Sequence, residues 1–283
     1  MCGITAAISK QNACAKVIHY LGRLEYRGYD SVGYCTLKED STFHIVKQLK
    51  PPTKLSVPNV ATPPVSITIS HTRWATHGSP TIQNCHPHLS NDETIAIVHN
   101  GVIDNYMELR DKLVEEHDIY CKTDTDSEVI AHLIQTFCLN NDFITAVKAT
   151  MQILKGPYAI VAMQRGTNKL VASCYASPLI MGVAKNEIWF SSDHTGIPEN
   201  CSKMMALNDG DVVSASCFSY QRINIFEACK PLYIVENDEP YNDYDCMKEE
   251  NNPSSSFMLQ EIRQQSSILN QILENRIINF TVN

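Results

Sequence analysis

The chain opens with Met1-Cys2-Gly3-Ile4, so a cysteine stands at the head of a short apolar run, residues 3–8, that predicts a buried strand. Removal of Met1, which a small second residue permits, would leave Cys2 with both a thiol and a free α-amine. The reference pKa of that amine is about 7.7–8.0, so a useful fraction is unprotonated near neutral pH. A thiol attacks a carbonyl well only with a base nearby or with a lowered pKa. The opening therefore predicts a nucleophile with its own base; a chance cysteine at an exposed terminus is the alternative.

Composition restricts the classes of protein that remain. At 283 residues the chain can form one large domain or two small ones. A net charge of −8, without clustered Lys and Arg, argues against nucleic acid as a partner. The eleven cysteines are scattered and contain no Cys-x-x-Cys pair, which indicates small buried hydrophobic residues in a reducing compartment. The start does not resemble a signal peptide and no window approaches ~20 apolar residues, so we expect a cytoplasmic protein with no membrane partner.

Hydrophobic periodicity predicts strands on both sides of a central helical block. Alternating or β-branched runs predict strands, and apolar residues at helical spacing predict helices. The predicted strands are 3–8, 31–37, 43–48, 66–70, 94–99, 158–164, 169–174, 179–183, 187–191, 211–215 and 223–226, and the predicted helices are 13–25, 104–116, 127–139 and 143–154. Because helices outside two packed sheets bury the apolar faces of both, we predict an α+β fold, a four-layer αββα sandwich.

The composition changes near residue 236. Residues 237–256 are polar, acidic and rich in Asn, Asp, Pro and Ser, which is typical of an exposed linker. Beyond it, residues 257–283 predict an amphipathic helix whose apolar stripe runs from Met258 to Ile277. We therefore expect a domain over 2–236, a linker, and a helix that either packs back on the domain or drives self-association or partner binding.

Three further segments carry uncommon combinations of residues. They are Leu24–Ser31 (LEYRGYDS), His71–Gly78 (HTRWATHG) and His99–Asn105 (HNGVIDN). Together with Cys2-Gly3-Ile4 they resemble the class II glutamine amidotransferases, which are N-terminal-nucleophile hydrolases. Within that class the resemblance is greatest to the glutaminase domain of the glutamine–fructose-6-phosphate aminotransferases (glucosamine-6-phosphate synthases). It implies the sandwich fold and cleavage of the side-chain amide of L-glutamine.

The Asn-Gly pair at 100–101 suits the transition state of that reaction. Amide hydrolysis passes through a tetrahedral oxyanion, which preorganised donors stabilise by about 3–4 kcal/mol each. Asn100 offers a side-chain amide, and Gly101 offers a backbone N–H that no side chain shields. Asn-Gly is also typical of a type I′ hairpin turn. Beside the other segments we favour an oxyanion hole, so Cys2, Asn100 and Gly101 are the candidate catalytic residues.

The α-carboxylate and α-ammonium of glutamine each need a partner. Arg73 suits the carboxylate because its planar guanidinium can bind in a bidentate manner. The segment Thr125-Asp126-Ser127-Glu128 resembles a family segment that selects Asp126 for the ammonium. Asp124 precedes it in a near-duplicate pair. Capping of the following helix is the alternative for both acids, and we prefer it for Asp124.

The resemblance also assigns roles to the residues after Arg73. In the family, the tryptophan matching Trp74 lies on a mobile loop and gates the exit of ammonia. Thr76, His77 and Gly78 then help to close that loop over glutamine. A core aromatic is the alternative for Trp74.

Arg27 is the fourth candidate catalytic residue. The resemblance places it near the nucleophile, where it would orient the terminus. A surface salt bridge with Glu25 or Asp30 is the alternative.

Five histidines lie close together in the sequence, at 71, 77, 86, 88 and 99. His86-Pro87-His88 invites a metal interpretation, but the spacings follow no zinc pattern and the same histidines occur in the metal-free family segments. The glycines fit neither a phosphate-binding loop nor a dinucleotide fingerprint. We therefore predict no metal and no cofactor.

The end of the sequence leaves the acceptor of ammonia open. Residues 257–265 resemble the segment that leads into the sugar isomerase half of the family, with Gln260 where lysine is usual and Gln264 where glutamate is usual. The chain ends at Asn283, before such a half. The readings are a truncated synthase, a stand-alone glutaminase, or a subunit that gives ammonia to a separate synthase. A non-catalytic copy that binds a partner through its C-terminal helix is disfavoured, because the candidate site is intact. A homo-oligomer is compatible with each.

Overall fold

The computed structural model describes residues 2–57, 63–75 and 78–226, and the backbone of 232–234. The chain divides into two units, Met1–Tyr244 and Asp245–Asn283. The predicted linker at 237–256 and the predicted helix at 257–283 lie outside the described residues, so these predictions and the boundary at 236 stay predictions.

The described residues form strands and helices in the predicted sequence of types. The strands are β1 (Gly3–Ser9), β2 (Ser31–Leu37), β3 (Phe43–Gln48), β4 (Ser66–Arg73), β5 (His88–Leu89), β6 (Ile95–Gly101), β7 (Tyr158–Gln164), β8 (Leu170–Tyr175), β9 (Ile180–Ala184), β10 (Glu187–Ser191), β11 (Lys203–Ala206), β12 (Asp211–Ala215), β13 (Tyr220–Asn224) and β14 (Leu232–Ile234). The helices are α1 (Ala13–Gly22), α2 (Tyr106–His117), α3 (Glu128–Cys138) and α4 (Phe143–Ile153). Short 3₁₀ turns cover Glu25–Arg27, Pro52–Lys54 and His194–Gly196.

The strands make two seven-stranded sheets. The first has the order β11-β9-β10-β1-β4-β2-β3 and the second β14-β13-β12-β8-β7-β6-β5. Neighbouring strands are antiparallel, for example β1 with β4 and β6 with β7. Successive side chains of a strand point to opposite faces. Ile4, Ala6 and Ile8 of β1 accordingly enter the core between the sheets, while Ala7 packs on the other face with Val17 of α1.

The helices form the two outer layers. Helix α1 packs on β1 and β4 of the first sheet, and α3 and α4 pack on strands of the second. On the second sheet, Ile95 and Ile97 of β6 face the helices, whereas Ala96 and Val98 face the first sheet. The predicted αββα sandwich is confirmed.

The differences from the predicted elements lie at element ends and in short edge strands. Strands β5, β11 and β14 were not predicted, and β13 lies three residues earlier than the predicted strand at its start. Helix α1 ends at Gly22 instead of Glu25, because the chain tightens there into a 3₁₀ turn. Asp126 is not the N-cap of α3: Ser127 holds that position, without a side-chain capping bond.

The burial of the cysteines agrees with the composition argument. The nine cysteines within the described residues are free thiols. Five of them are buried and four are half-buried, as expected for small hydrophobic residues. No helix among the described residues is both long enough and apolar enough to cross a membrane.

Candidate active site

The candidate site lies where the start of β1 meets the ends of β4 and β6. Gly3 pairs with Thr72, so the antiparallel register brings the end of β4 beside the nucleophile. Along β4, Ile67 and Ile69 face the core between the sheets. His71 and Arg73 therefore share that face. Asn100 continues the inward face of β6 by the same alternation, which points its side chain across the sheets towards Cys2.

The thiol of Cys2 is half-buried and hydrogen-bonded to the chain just beyond β4. Its Sγ accepts from the backbone N–H of Trp74 at 3.3 Å and lies 3.5 Å from the Trp74 carbonyl oxygen. Burial raises the pKa of the thiol above its ordinary value, while the Trp74 N–H and the positive charges of Arg73 and Arg27 act in the opposite direction. A base is therefore needed to form the thiolate near neutral pH.

Asn100 joins the two sheets at the nucleophile. Its Nδ2 donates to the carbonyl oxygen of Cys2 at 3.1 Å and to Oγ of Ser192 at 2.8 Å. Its Oδ1 accepts from Nε2 of His71 at 3.0 Å. The amide group that we predicted as an oxyanion donor thus lies against the nucleophilic residue, with both of its hydrogens engaged by the protein.

Gly101 follows in a conformation that requires glycine. Its φ of +130° lies in the region that L side chains rarely adopt, and a Cβ there would collide with the carbonyl oxygen of Pro157. The turn interpretation of Asn-Gly is wrong, because Asn100 and Gly101 pair with Ala159 and Tyr158 as the last residues of β6. Gly101 is exposed and lines the same cleft as Cys2.

Arg27 contacts Cys2 directly. Its Nε donates to the carbonyl oxygen of Cys2 at 3.0 Å, and its Nη1 lies 3.9 Å from Oδ2 of Asp193. Burial opposes ionisation of Asp193, but hydrogen bonds from His194 and Thr195 hold the pKa of its carboxyl group below the usual range. This geometry differs from the surface ion pair with Glu25 or Asp30 that was the alternative.

Arg73 is 4% exposed and lines the cleft. Its Nη2 donates to the carbonyl oxygen of Gly78 at 3.0 Å, and its Nη1 to that of Ser79 at 3.4 Å. The guanidinium group therefore also secures the loop after β4. At Gly78, φ is +76° and a Cβ would lie 2.9 Å from Nδ2 of Asn84, so glycine is favoured there too.

The two candidate acids lie apart. Asp126 lines the cleft, where its Oδ2 accepts from the Ile103 N–H at 2.8 Å and its Oδ1 from Ser127 Oγ at 3.1 Å. Asp124 instead accepts from Nδ2 of Asn84 at 3.2 Å. Neither acid caps α3, so the capping alternative is wrong for both.

Trp74 lies at the mouth of the cleft and is 44% exposed, which excludes a core role. Its ring lies 5.6 Å from that of Tyr29, centroid to centroid. Thr76 and His77 lie outside the described residues, so their predicted roles in loop closure stay predictions.

Four of the histidines that stand out in the sequence form a buried cluster next to the cleft. The ring centroids of His71 and His86 are 4.1 Å apart, and those of His86 and His88 are 4.4 Å apart. Burial lowers the pKa of His71 to about 3 and that of His86 and His88 well below the usual value. Nδ1 of His99 forms a hydrogen bond of 2.8 Å with Oγ of Ser127. The cluster is thus neutral at physiological pH.

Within the described residues, one group of side chains has ligand atoms close enough for a metal ion. Atoms of Cys121, Glu128 and His132 lie within 4.8 Å of one another. The carboxylate of Glu128 already accepts from the N–H groups of Lys122 (2.9 Å) and Thr123 (2.7 Å), and from Nε2 of His132 at 3.2 Å. Through these bonds the group of Cys121, Glu128 and His132 stabilises the loop before α3.

Sequence reasoning missed Ser192. Its Oγ accepts from the Ile4 N–H at 2.7 Å and from Asn100, and it is 2% exposed. The available signal was the polar run Ser191-Ser192-Asp193, which begins at the last residue of the buried strand Glu187–Ser191. The cleft has a volume of ≈ 20 Å³. That is room for about one water molecule. The cleft is lined by Cys2, Arg73, Trp74, His86, His99, Gly101, Thr125, Asp126 and Ser127.

Two seven-stranded sheets between helical layers, with a cysteine at the head of a central strand, define the N-terminal-nucleophile class of glutamine amidotransferases. Residues 71–199 match the glutamine amidotransferase domain family. Among solved structures, the glutamine phosphoribosylpyrophosphate amidotransferase of B. subtilis has a TM-score of 0.65 at 20% identity and covers 79% of this chain and 49% of its own. An allosteric regulatory enzyme of purine biosynthesis has a TM-score of 0.66, also at 20% identity, with the same coverage.

Curated relatives extend the similarity along almost the whole chain. The glutamine–fructose-6-phosphate aminotransferase of Francisella tularensis is 38% identical over 281 residues, which is 96% of this chain and 44% of the relative. That of Methanothermobacter thermautotrophicus is 36% identical over 277 residues, again 96% of this chain and 45% of the relative. The chain thus spans less than half the length of these relatives. It belongs to the class II glutamine amidotransferases and is similar to the part of the fructose-6-phosphate aminotransferases that carries this domain.

Proposed function

We propose that this protein hydrolyses L-glutamine to glutamate and ammonia through a thioester on Cys2. The observation that carries the proposal is the cleft at the head of β1. It brings a thiol together with Arg73, Asp126 and Gly101, which match the carboxylate, the ammonium and the developing oxyanion of glutamine.

The mechanism follows from the groups around the thiol. After removal of Met1, the α-amine of Cys2 takes the thiol proton, directly or through water, and the thiolate attacks the side-chain amide carbon. The Asn100 amide and the Gly101 N–H stabilise the oxyanion. The carbon–nitrogen bond then breaks, the amine returns its proton to the leaving nitrogen, and ammonia departs. Water hydrolyses the γ-glutamyl thioester, which releases glutamate and restores the thiol.

Arg27 supports this mechanism through the backbone of the nucleophile. Its bond holds the Cys2 carbonyl oxygen, to which Asn100 also donates in the resting site. A nucleophile held in this way loses less conformational freedom when it attacks.

We propose further that the ammonia is destined for fructose 6-phosphate. The names of the curated relatives support this acceptor. An isomerase domain or subunit would then receive the ammonia, and residues 257–283 are the candidate contact with it. A cytoplasmic location belongs to the same proposal. A stand-alone glutaminase and a subunit for a separate synthase remain the competing forms of the hypothesis, because they share the hydrolytic half.

The test is glutamate release from L-glutamine by the purified chain, after mass spectrometry establishes that Cys2 is the first residue. We expect turnover by the native chain, no turnover by Cys2→Ala, and retained binding of glutamine by that variant in calorimetry. Cys201→Ala is the matched control, because Cys201 is another half-buried thiol, outside the cleft. Full residual turnover in Cys2→Ala would refute the nucleophile.

Fructose 6-phosphate separates the acceptor hypotheses. An amidotransferase linked to hexosamine synthesis should release glutamate faster when the sugar and an isomerase partner are present. A stand-alone glutaminase should ignore both additions. If a correctly processed chain releases no glutamate, with or without these additions, the proposed activity is contradicted.

A further inference from the structure

The orientation of the Asn100 side chain decides whether it can serve as an oxyanion donor. A carboxamide has a donating end and an accepting end of nearly the same shape, and a half-turn about the last bond exchanges them. If the oxygen of Asn100 pointed at the nucleophile, it would repel an oxyanion instead of stabilising it. Some neighbouring group must therefore fix the correct end.

We propose that His71 is a positioning residue that fixes this orientation by donating its Nε2–H to Oδ1 of Asn100. The inference rests on the proposed glutaminase function and assigns a role that the mechanism above leaves unexplained. His71 acts through Asn100, on the far side of that amide from the nucleophile.

The contacts of His71 determine its tautomer. Its Nε2 lies 3.0 Å from the carbonyl oxygen of His99 and 3.0 Å from Oδ1 of Asn100. A backbone carbonyl can only accept, so Nε2 must carry the hydrogen. The atom of Asn100 that shares this hydrogen must accept as well, and it must therefore be the oxygen. The histidine ring thus binds Oδ1 of the amide and leaves Nδ2 to face the nucleophile.

The contacts of the other end of the amide give the same orientation of Asn100 independently. Nδ2 of Asn100 faces the carbonyl oxygen of Cys2 at 3.1 Å, and this oxygen also can only accept. Ser192 Oγ completes the set at 2.8 Å. A flipped amide would place two acceptors together at Cys2 and two donors together at His71, and each such pair leaves buried polar groups unpaired.

The surroundings keep His71 in this state. The ring is 1% exposed and lies in contact with the ring of His86. Because the bond spans from β4 of one sheet to β6 of the other, both partners are held by rigid elements. A positioning role requires this rigidity, since a loop residue could follow the amide when it turns.

The kinetic test replaces His71 with residues that keep or lose the donor. His71→Met removes it at similar volume, and we expect kcat for glutamate release to fall roughly 100-fold, the typical loss of one oxyanion donor, with little change in KM. His71→Gln offers an amide N–H at about the position of Nε2 and should restore most of the loss. His44→Met and His44→Gln, on β3 of the same sheet, are matched controls and should match the native chain.

A double-mutant cycle separates positioning from general damage to the fold. In the Asn100→Ala background, His71→Met should cost no further activity, because the group that it positions is gone. A further loss of the same size, or a His71→Gln variant as slow as His71→Met with both proteins folded, would overturn the proposal.

A measurement without turnover distinguishes failure of this proposal from failure of the glutaminase function. Nitrogen NMR of the chain labelled at histidine should show His71 neutral, with the hydrogen on Nε2, at pH 7 and at pH 6. A hydrogen on Nδ1 would refute the positioning role even in an active enzyme. The expected tautomer in a chain that does not hydrolyse glutamine would leave the orientation intact and reject the proposed function instead.

Discussion

Lowering the pH from 7 to 5.5 should destabilise this protein strongly, because the fold keeps a cluster of buried histidines neutral. The pKa of His71 is about 3 in the fold against an ordinary value of 6.5, and those of His86 and His88 also lie well below it. Burial is the largest cause for all three. A group whose pKa is lower in the fold binds protons mainly in the unfolded chain. Its stabilising effect is present above pH 6.5 and is lost as the pH falls from there towards the folded-state pKa.

The size of the effect follows from these pKa values. Consider a histidine whose pKa is 6.5 in the unfolded chain and which stays neutral in the fold. Between pH 7 and 5.5 it lowers the unfolding free energy of the protein by about 1.2 kcal/mol. His71, His86 and His88 together account for a loss of about 4 kcal/mol, against a typical total of about 5–15 kcal/mol for a domain. His99, whose pKa burial also lowers, adds to the loss. Glu128, whose pKa is lowered to about 2 despite burial, chiefly by its hydrogen bond from His132, loses its stabilising effect only below its ordinary pKa of 4.5. It therefore does not contribute in this window.

The assay is urea unfolding at pH 7 and at pH 5.5, followed by circular dichroism and extrapolated to water. His88→Gln is the informative variant, since the glutamine amide can replace Nε2 of His88, which lies 3.2 Å from Oγ1 of Thr125, without titrating. We expect it to reduce the pH-dependent loss by ~1.2 kcal/mol. His19→Gln, at an exposed position on α1, should leave the loss unchanged. Equal unfolding free energies at both pH values would refute the reasoning.

Two further substitutions test the site and the fold. Arg73→Lys keeps the charge but loses the planar fork that we propose binds the carboxylate of glutamine, so KM for glutamine should rise about 10- to 100-fold while the melting temperature changes little. An unchanged KM would refute the carboxylate role. Gly33→Ala should lower the unfolding free energy by about 1–3 kcal/mol, because its Cβ would collide with the His86 carbonyl oxygen. The control Gly22→Ala, whose Cβ would meet its first neighbour at 3.9 Å, should be nearly neutral, and equal effects of the two would contradict the packing argument.

The central strands could be predicted from the sequence because their apolar runs are continuous. Of the strands inside the two sheets, β2, β7, β10 and β12 begin and end at the predicted residues. They pack between the sheets or against helices, so burial shows directly in their composition. Strand β11 was not predicted, since its residues Lys203–Ala206 are half-buried or exposed at the edge of a sheet. Strand β5 has only two residues, which is too short for a periodic pattern.

Sequence reasoning named residues that the structure brings to one cleft, but it did not give their hydrogen bonds, and the roles of these residues stay predictions. Short segments indicate Cys2, Arg73 and Asn100 because the chemistry of glutamine demands those groups. The sequence does not reveal that Ser192 accepts from both Ile4 and Asn100, since this depends on the pairing of β10 with β1 across about two-thirds of the chain. Long-range register is set by the whole sheet and leaves no local signal.

The contacts of Asn100 suggest how the site distinguishes the transition state from the resting enzyme. One N–H of its amide donates to Ser192 and the other donates to the neutral carbonyl oxygen of Cys2. In the proposed mechanism, the second N–H exchanges this neutral acceptor for a charged one when the oxyanion forms. Hydrogen bonds to charged acceptors are roughly twice as strong as those to neutral ones, so the exchange is favourable only once negative charge has developed. The gain is the difference between the two bonds, and it arises only as negative charge develops, which is the differential binding that catalysis requires.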